Sequence, residues 1–145
     1  MDFPYTTLPG RPDGAFPDRK ILKRPIVEIT LRKGDRSIQC EALIDSGADY
    51  CLFPATLALA LGITIPNNRS SAFAGTANAT QFAYFETIQA TIWNSSQFER
   101  PITFDLYAGF CETLEHIGIG LLGQQDFFPR FNVTFELSDN LSRVV

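Results

Sequence analysis

From Ile26 to Leu31 apolar and polar positions alternate, with Val27, Ile29 and Leu31 on one face and Glu28 and Thr30 on the other. That period of two predicts a half-buried strand. Lys33-Gly34-Asp35 reads as a hairpin turn, and Arg36 to Ile44 returns antiparallel. Tyr50 to Phe53 is a short apolar strand, and Pro54 is placed to open a helix that runs to Leu61. Leu57 and Leu61 share a face of that helix, and Gly62 offers a left-handed cap. Residues 71–82 predict a hairpin with a small-residue tip around Gly75 to Asn78. Phe82 to Ile92 and Ile102 to Leu106 predict two more strands joined by a polar turn, while residues 109–116 fit no single pattern. Ile117 to Gly123 is an apolar strand closed by glycine. A short helix containing Phe127 and Phe128 should follow it and stop at Pro129. Phe131 to Leu137 alternates as a last strand. Many short strands with one or two short helices predict an all-β closed or folded-over sheet.

The ends of the chain look different. Residues 1–24 hold Pro4, Pro9, Pro12 and Pro17 with Gly10 and Gly14 between them, which predicts an extended arm rather than packed structure. Residues 25–138 make one domain, and 139–145 read as a loose C-terminal tail.

Composition narrows the function classes. Apolar residues are 45% and charged residues 19% of the chain, which argues against wholesale disorder. A net charge of -4 gives no basic face for a phosphate backbone, so no nucleic-acid partner is expected. No run is long enough to span a bilayer, and Met1-Asp2-Phe3-Pro4-Tyr5 does not begin a secretory signal, so the expectation is a cytoplasmic protein with no membrane partner. Cys40, Cys51 and Cys111 are odd in number and far apart, which fits reduced core thiols better than disulfides. With no close cysteine pair and one histidine, His116, zinc-site spacing is missing. Cys51 is read as a core filler, not a nucleophile, and Ser-His-Asp catalysis has no signature around His116.

One acid is out of place. In Ala42-Leu43-Ile44-Asp45-Ser46-Gly47-Ala48-Asp49-Tyr50-Cys51-Leu52-Phe53 a buried strand delivers a carboxylate, a small hydroxyl and a glycine before the chain turns apolar again. An ionised carboxylate at the inner end of a strand needs hydrogen-bond donors, a counter-charge or a proton. Gly47 and the amides after it can supply donors in a tight turn. Asp-Ser-Gly also makes an ordinary Asx turn, and that plainer reading stands beside the chemical one.

The order of elements is more specific than any one motif. Leu43-Ile44-Asp45-Ser46-Gly47-Ala48 ends an apolar strand, a hairpin follows at Gly75, and Leu121-Leu122-Gly123 leads into a short helix. Over residues 25–137 this resembles the single-lobed, retropepsin-like aspartic proteases. The resemblance implies an all-β acid-protease barrel with a flap hairpin and Asp45 as catalytic carboxylate. It also implies that Ser46 hydrogen-bonds across a dimer beneath the paired aspartates, and that Gly47 lets its backbone lie close to substrate. Ala48, Asp49, Phe73, Ala74, Gly75 and Leu121 would line the peptide groove, with Leu43 adding an apolar pocket. Leu122 and Gly123 would buttress the acid loop. Some relatives carry an arginine just after that glycine to brace the acid at the Asp49 position, whereas this chain has Gln124 and Gln125.

Two carboxylates about 3 Å apart share one proton, so one serves as base and the other as acid. The chain has a single Asp-Ser/Thr-Gly, and Asp126, followed by Phe127 and Phe128, is read as a solvated or capping residue of the predicted helix. The resemblance therefore implies a homodimer with its site on the two-fold axis, a polypeptide substrate, and no metal or organic cofactor. Two other readings remain: a catalytically silent retropepsin-fold domain used for dimerisation or peptide binding, and an unrelated small barrel in which Asp45 only caps a turn.

Overall fold

The computed structural model describes residues 1–65, 70–74, 80–93 and 100–145, with residues 70–74 and 80 described by their backbone only. Twelve strands are found among them: β1 (Asp2–Pro4), β2 (Thr6–Pro9), β3 (Ile21–Arg24), β4 (Ile26–Lys33), β5 (Arg36–Ile44), β6 (Cys51–Pro54), β7 (Ser70–Ala74), β8 (Thr80–Ile92), β9 (Ile102–Cys111), β10 (Gly120–Leu122), β11 (Val133–Glu136) and β12 (Leu141–Val144). Helix α1 spans Ala55–Ala60, and 3-10 turns cover Glu112–His116 and Leu137–Asp139.

Six strands close a barrel in the order β4-β5-β10-β6-β9-β8, because β8 pairs back onto β4, while β7 adds to the outer side of β8. β4 and β5 form the expected hairpin, with Lys33 opposite Arg36 and Gly34 at φ 61, a value glycine adopts without strain. Inside lie Ile29, Leu31, Phe53, Ile92, Leu106, Phe110, Leu122 and Phe127, all essentially without solvent contact. Burial of that many large side chains is the main term holding the barrel together.

Pro54 ends β6 and occupies the N-cap position of α1, one residue before the helix it was expected to open. Its ring removes an N–H at a place where that donor would have no acceptor within the helix. Glu115 supplies a substitute cap, accepting from the Thr56 N–H at 2.8 Å and the Thr56 hydroxyl at 3.1 Å. Ala58 and Leu61 are buried beneath the helix, and Gly62, at φ 71, donates to Leu59 O as the chain leaves it.

Three expectations are corrected. The C-terminal tail is not loose: β12 pairs with β1 on one side and β11 on the other, and Val144 and Ser142 are buried. The first residues of the arm are likewise packed, since Phe3 is buried and the Met1 amino group donates to Val144 O at 2.7 Å. Backbone pairing between β1 and β12, whose register partners lie 137 to 141 residues apart, has no local signal in either segment. The helix expected after Gly123 is instead a run of turns over 124–130. Asp126 sits there at φ 75, outside the helical region, and its carboxylate accepts from the Tyr107 N–H on β9 and pairs with Arg130 at 3.0 Å. It is therefore neither a cap nor simply solvated. Phe127 anchors the turns in the core against Phe104, Phe128 and Phe131.

Candidate active site

The loop 45–50 owes its shape to the strand beneath it. β5 ends at Ile44 and β6 begins at Cys51, yet the two are not neighbours: β10 lies between them, parallel to β5 and antiparallel to β6. The loop must therefore pass over the end of β10, where Asp45 N–H donates to Leu122 O at 3.0 Å. Gly123 is the contact point. A Cβ there would lie 2.3 Å from Tyr50 O and 2.7 Å from Ala48 O, so no other residue lets the loop settle this closely.

Asp45 lies partly exposed at the start of the loop. Its Oδ1 accepts the Gly47 N–H at 2.9 Å, and Ala48 N–H donates to Asp45 O at 3.2 Å. The carboxylate is thus oriented by its own turn while keeping oxygen lone pairs free for water or substrate. Ser46 and Gly47 are exposed, and Ala48 is partly so.

Bonds from the 122–125 segment hold the loop from below. Gln124 N–H donates to Ala48 O and Gln125 N–H to Asp49 O, both at 2.8 Å. The Gln124 side chain adds a third tie, donating from Nε2 to Ser46 O at 2.7 Å. Cys51 completes the brace: its sulfur accepts the Gly123 N–H at 3.3 Å and its thiol donates to Gln125 O at 3.2 Å. Burial pushes that thiol up to about 11, so it stays protonated and able to donate. Gln124 and Cys51 were not among the site residues expected from the sequence. The signal for Gln124 was its place directly after Leu121-Leu122-Gly123; nothing local marks Cys51 as more than a buried thiol.

Asp49 is exposed, and among the described residues its carboxylate meets no cation. Leu43, Leu121 and Leu52 are register partners on adjacent strands, so they share one face of the sheet. The row continues through Gly109 to Phe85, whose ring closes over the glycine. Tyr50 and Tyr107 flank Phe85 at centroid distances of 5.3 Å each. The structure thus brings Leu43 and Leu121 together beside the acid loop. Phe73 and Ala74 lie on β7, opposite Gln81 and Thr80. Gly75 and the expected hairpin tip fall outside the described residues. A surface cleft of about 420 Å³ lined by Arg32, Lys33, Thr87, Gln89 and Asp105 contains none of the expected site residues.

No protein-family model matches the chain, and no curated protein sequence matches it. Among solved structures, the chain is similar to a retropepsin-like aspartic protease from Rickettsia conorii, at 14% identity and a TM-score of 0.58, over 98% of this chain and 95% of that one. At that identity the likeness is one of architecture, and the barrel described above has the retropepsin-like fold.

Proposed function

We propose that this chain is an aspartic endopeptidase that hydrolyses peptide bonds with a pair of Asp45 carboxylates, one from each subunit of a homodimer. The observation that carries the reading is the placement of Asp45 within a retropepsin-like fold: a partly exposed carboxylate, oriented by Gly47 N–H, on a loop braced by β10 and the turn after it. Ser46, directly after the acid, supports a role beneath the paired loops, and Gly47 leaves room for a substrate backbone.

A lone carboxylate can take a proton from water but has no acid opposite it to protonate the carbonyl oxygen. When a second Asp45 lies about 3 Å away, like-charge repulsion makes the pair hold one proton, and its apparent pKa values belong to the pair. The ionised member takes a proton from the bound water as the water oxygen attacks the peptide carbon. The protonated member gives its proton to the carbonyl oxygen. Collapse of the resulting diol returns that proton to the carboxylate and transfers the other to the amide nitrogen, and the C–N bond breaks. The peptide lies extended, bound mainly through its backbone, with apolar side chains over Leu43 and Leu121 and the β7–β8 hairpin closing as a flap. Asp49, Phe73, Ala74 and Gly75 complete the groove in this reading.

The test is a peptide-library digest by wild type and Asp45→Asn. Wild type should cleave best below neutral pH, where the pair holds one proton, and Asp45→Asn should lose activity at least 10³-fold, on the order expected when acid and base are both removed. Its thermal unfolding should match wild type. Unchanged cleavage in the variant refutes the assignment, and a wild type that binds peptides without cutting them supports the silent-domain reading instead.

A further inference from the structure

Residues 6–24 stand apart from the rest of the fold. β2 pairs only with β3, and this two-stranded ribbon joins neither the barrel nor the sheet of β1, β12 and β11. None of its residues is buried, residues 11–18 are all exposed, and Phe16 and Ile21 expose 59% and 55% of their surface. A two-stranded ribbon by itself is marginal in water. Yet this one has an ordered tip. Asp13 Oδ1 accepts from the N–H groups of Ala15 and Phe16 at 3.0 and 2.8 Å. The Arg19 guanidinium donates to Arg11 O at 2.9 Å and Asp13 Oδ2 at 2.8 Å, and lies 5.1 Å from the centre of the Phe16 ring. An aromatic held in place before it is covered lowers the entropic cost of association, and aromatic and arginine side chains are frequent anchors of interfaces.

The root of the ribbon says where a partner would meet it. Thr6 lies opposite Arg24, and the next residue, Pro25, accepts the Ile44 N–H at 2.9 Å. The ribbon thus leaves the body beside the residue that precedes Asp45. A second copy whose own Asp45 comes within about 3 Å must place its body at this same end. Charge favours the contact. Residues 6–24 carry five basic and two acidic side chains, and the remainder carries seven basic and fourteen acidic. Among the described residues, Arg11, Lys20, Lys23 and Arg24 meet no carboxylate. In a two-fold pair, each positive ribbon faces a negative body, and the attraction is counted twice.

We infer that the β2–β3 ribbon is a clasp that crosses the two-fold axis and lies on the acidic body of a second copy, seating Phe16 and Ile21 there and so bringing the two Asp45 loops together. The inference rests on the proposed dimeric site. It is tested by sedimentation equilibrium and by peptidase activity over a range of protein concentrations. The proteins compared are wild type, Phe16→Ser with Ile21→Ser, Lys23→Glu with Arg24→Glu, and a chain with residues 8–22 replaced by an Asn-Gly turn. The point variants change side chains that are exposed or, at Lys23, partly exposed, none of them buried, and should unfold close to the wild-type temperature. The clasp predicts a dimer dissociation constant raised at least tenfold in each variant, with specific activity lost in dilute solution and recovered when the protein is concentrated. Equal dimer affinity in all four proteins, with wild type active, overturns the clasp and leaves the protease reading standing. Higher activity on removal of the ribbon also overturns it, because the ribbon would then cover its own cleft. A wild type monomeric at every concentration ends both proposals.

Discussion

Gly123 shows how one residue sets the geometry of the acid loop. Its missing side chain is the space into which Tyr50 O and Ala48 O descend, and both obstacles to a Cβ there are backbone atoms that cannot rotate away. Gly123→Ala should therefore cost at least about 2 kcal/mol, the range of overpacking a filled site. Urea denaturation checks this, with Gly14→Ala as the control expected to change little, because nothing lies within 4 Å of a Cβ at Gly14. The need for a small residue here was legible from Leu121-Leu122-Gly123 and the resemblance it carries. The side-chain tie from Gln124 to Ser46 O was not, since a glutamine after a glycine is ordinary until the loop above it is in place.

At the scale of elements, the brace between the acid loop and the segment after β10 depends on one protonated thiol, Cys51, and on tightly held carbonyls, while a second thiol, Cys40, lies apart from it on β5. Cys51 is pushed up to about 11 and Cys40 to about 12 from an ordinary 9.0, in both cases mainly by burial, which disfavours the thiolate. The folded state holds these protons where the unfolded chain releases them. The associated stability is therefore complete below pH 9 and is lost as pH rises towards 11 for Cys51 and 12 for Cys40. Each thiol contributes a slope of about 1.4 kcal/mol per pH unit inside its window. Urea denaturation from pH 8 to 11 measures it, and Cys40→Ser should remove part of the slope. The 124–130 turns show a limit of pattern reading. Their apolar spacing suits a helix, but Asp126 stands at a positive φ with its carboxylate held by Arg130, four residues on, and by the Tyr107 N–H, 19 residues back and outside the window that a periodicity count covers.

For the whole molecule, the joining of the two ends is the main feature that local pattern did not foresee. β12 is the central strand of its sheet, so its loss would strand both β1 and β11. Val144 is buried beneath it, whereas the Arg143–Asp2 pair lies at the surface, with both side chains more than 40% exposed. Val144→Ala should thus destabilise by about 1–3 kcal/mol and Asp2→Ala by less than about 1 kcal/mol. Thermal unfolding of the two variants distinguishes a sheet held by packing from one held by charge. A larger effect from Asp2→Ala would reverse that view.

By itself the sequence determined the strands β4, β5, β8 and the first half of β9, together with the Asp45 turn and the glycine beneath it. Each of these is set by side-chain periodicity or by a local backbone requirement. Only the tertiary structure decided that β10 threads between β5 and β6, that the chain ends pair with each other, that Asp126 leaves the helical path, and that the β2–β3 ribbon stands free. Those outcomes depend on contacts between residues far apart in the chain, and on which donors and acceptors remain once the barrel has closed.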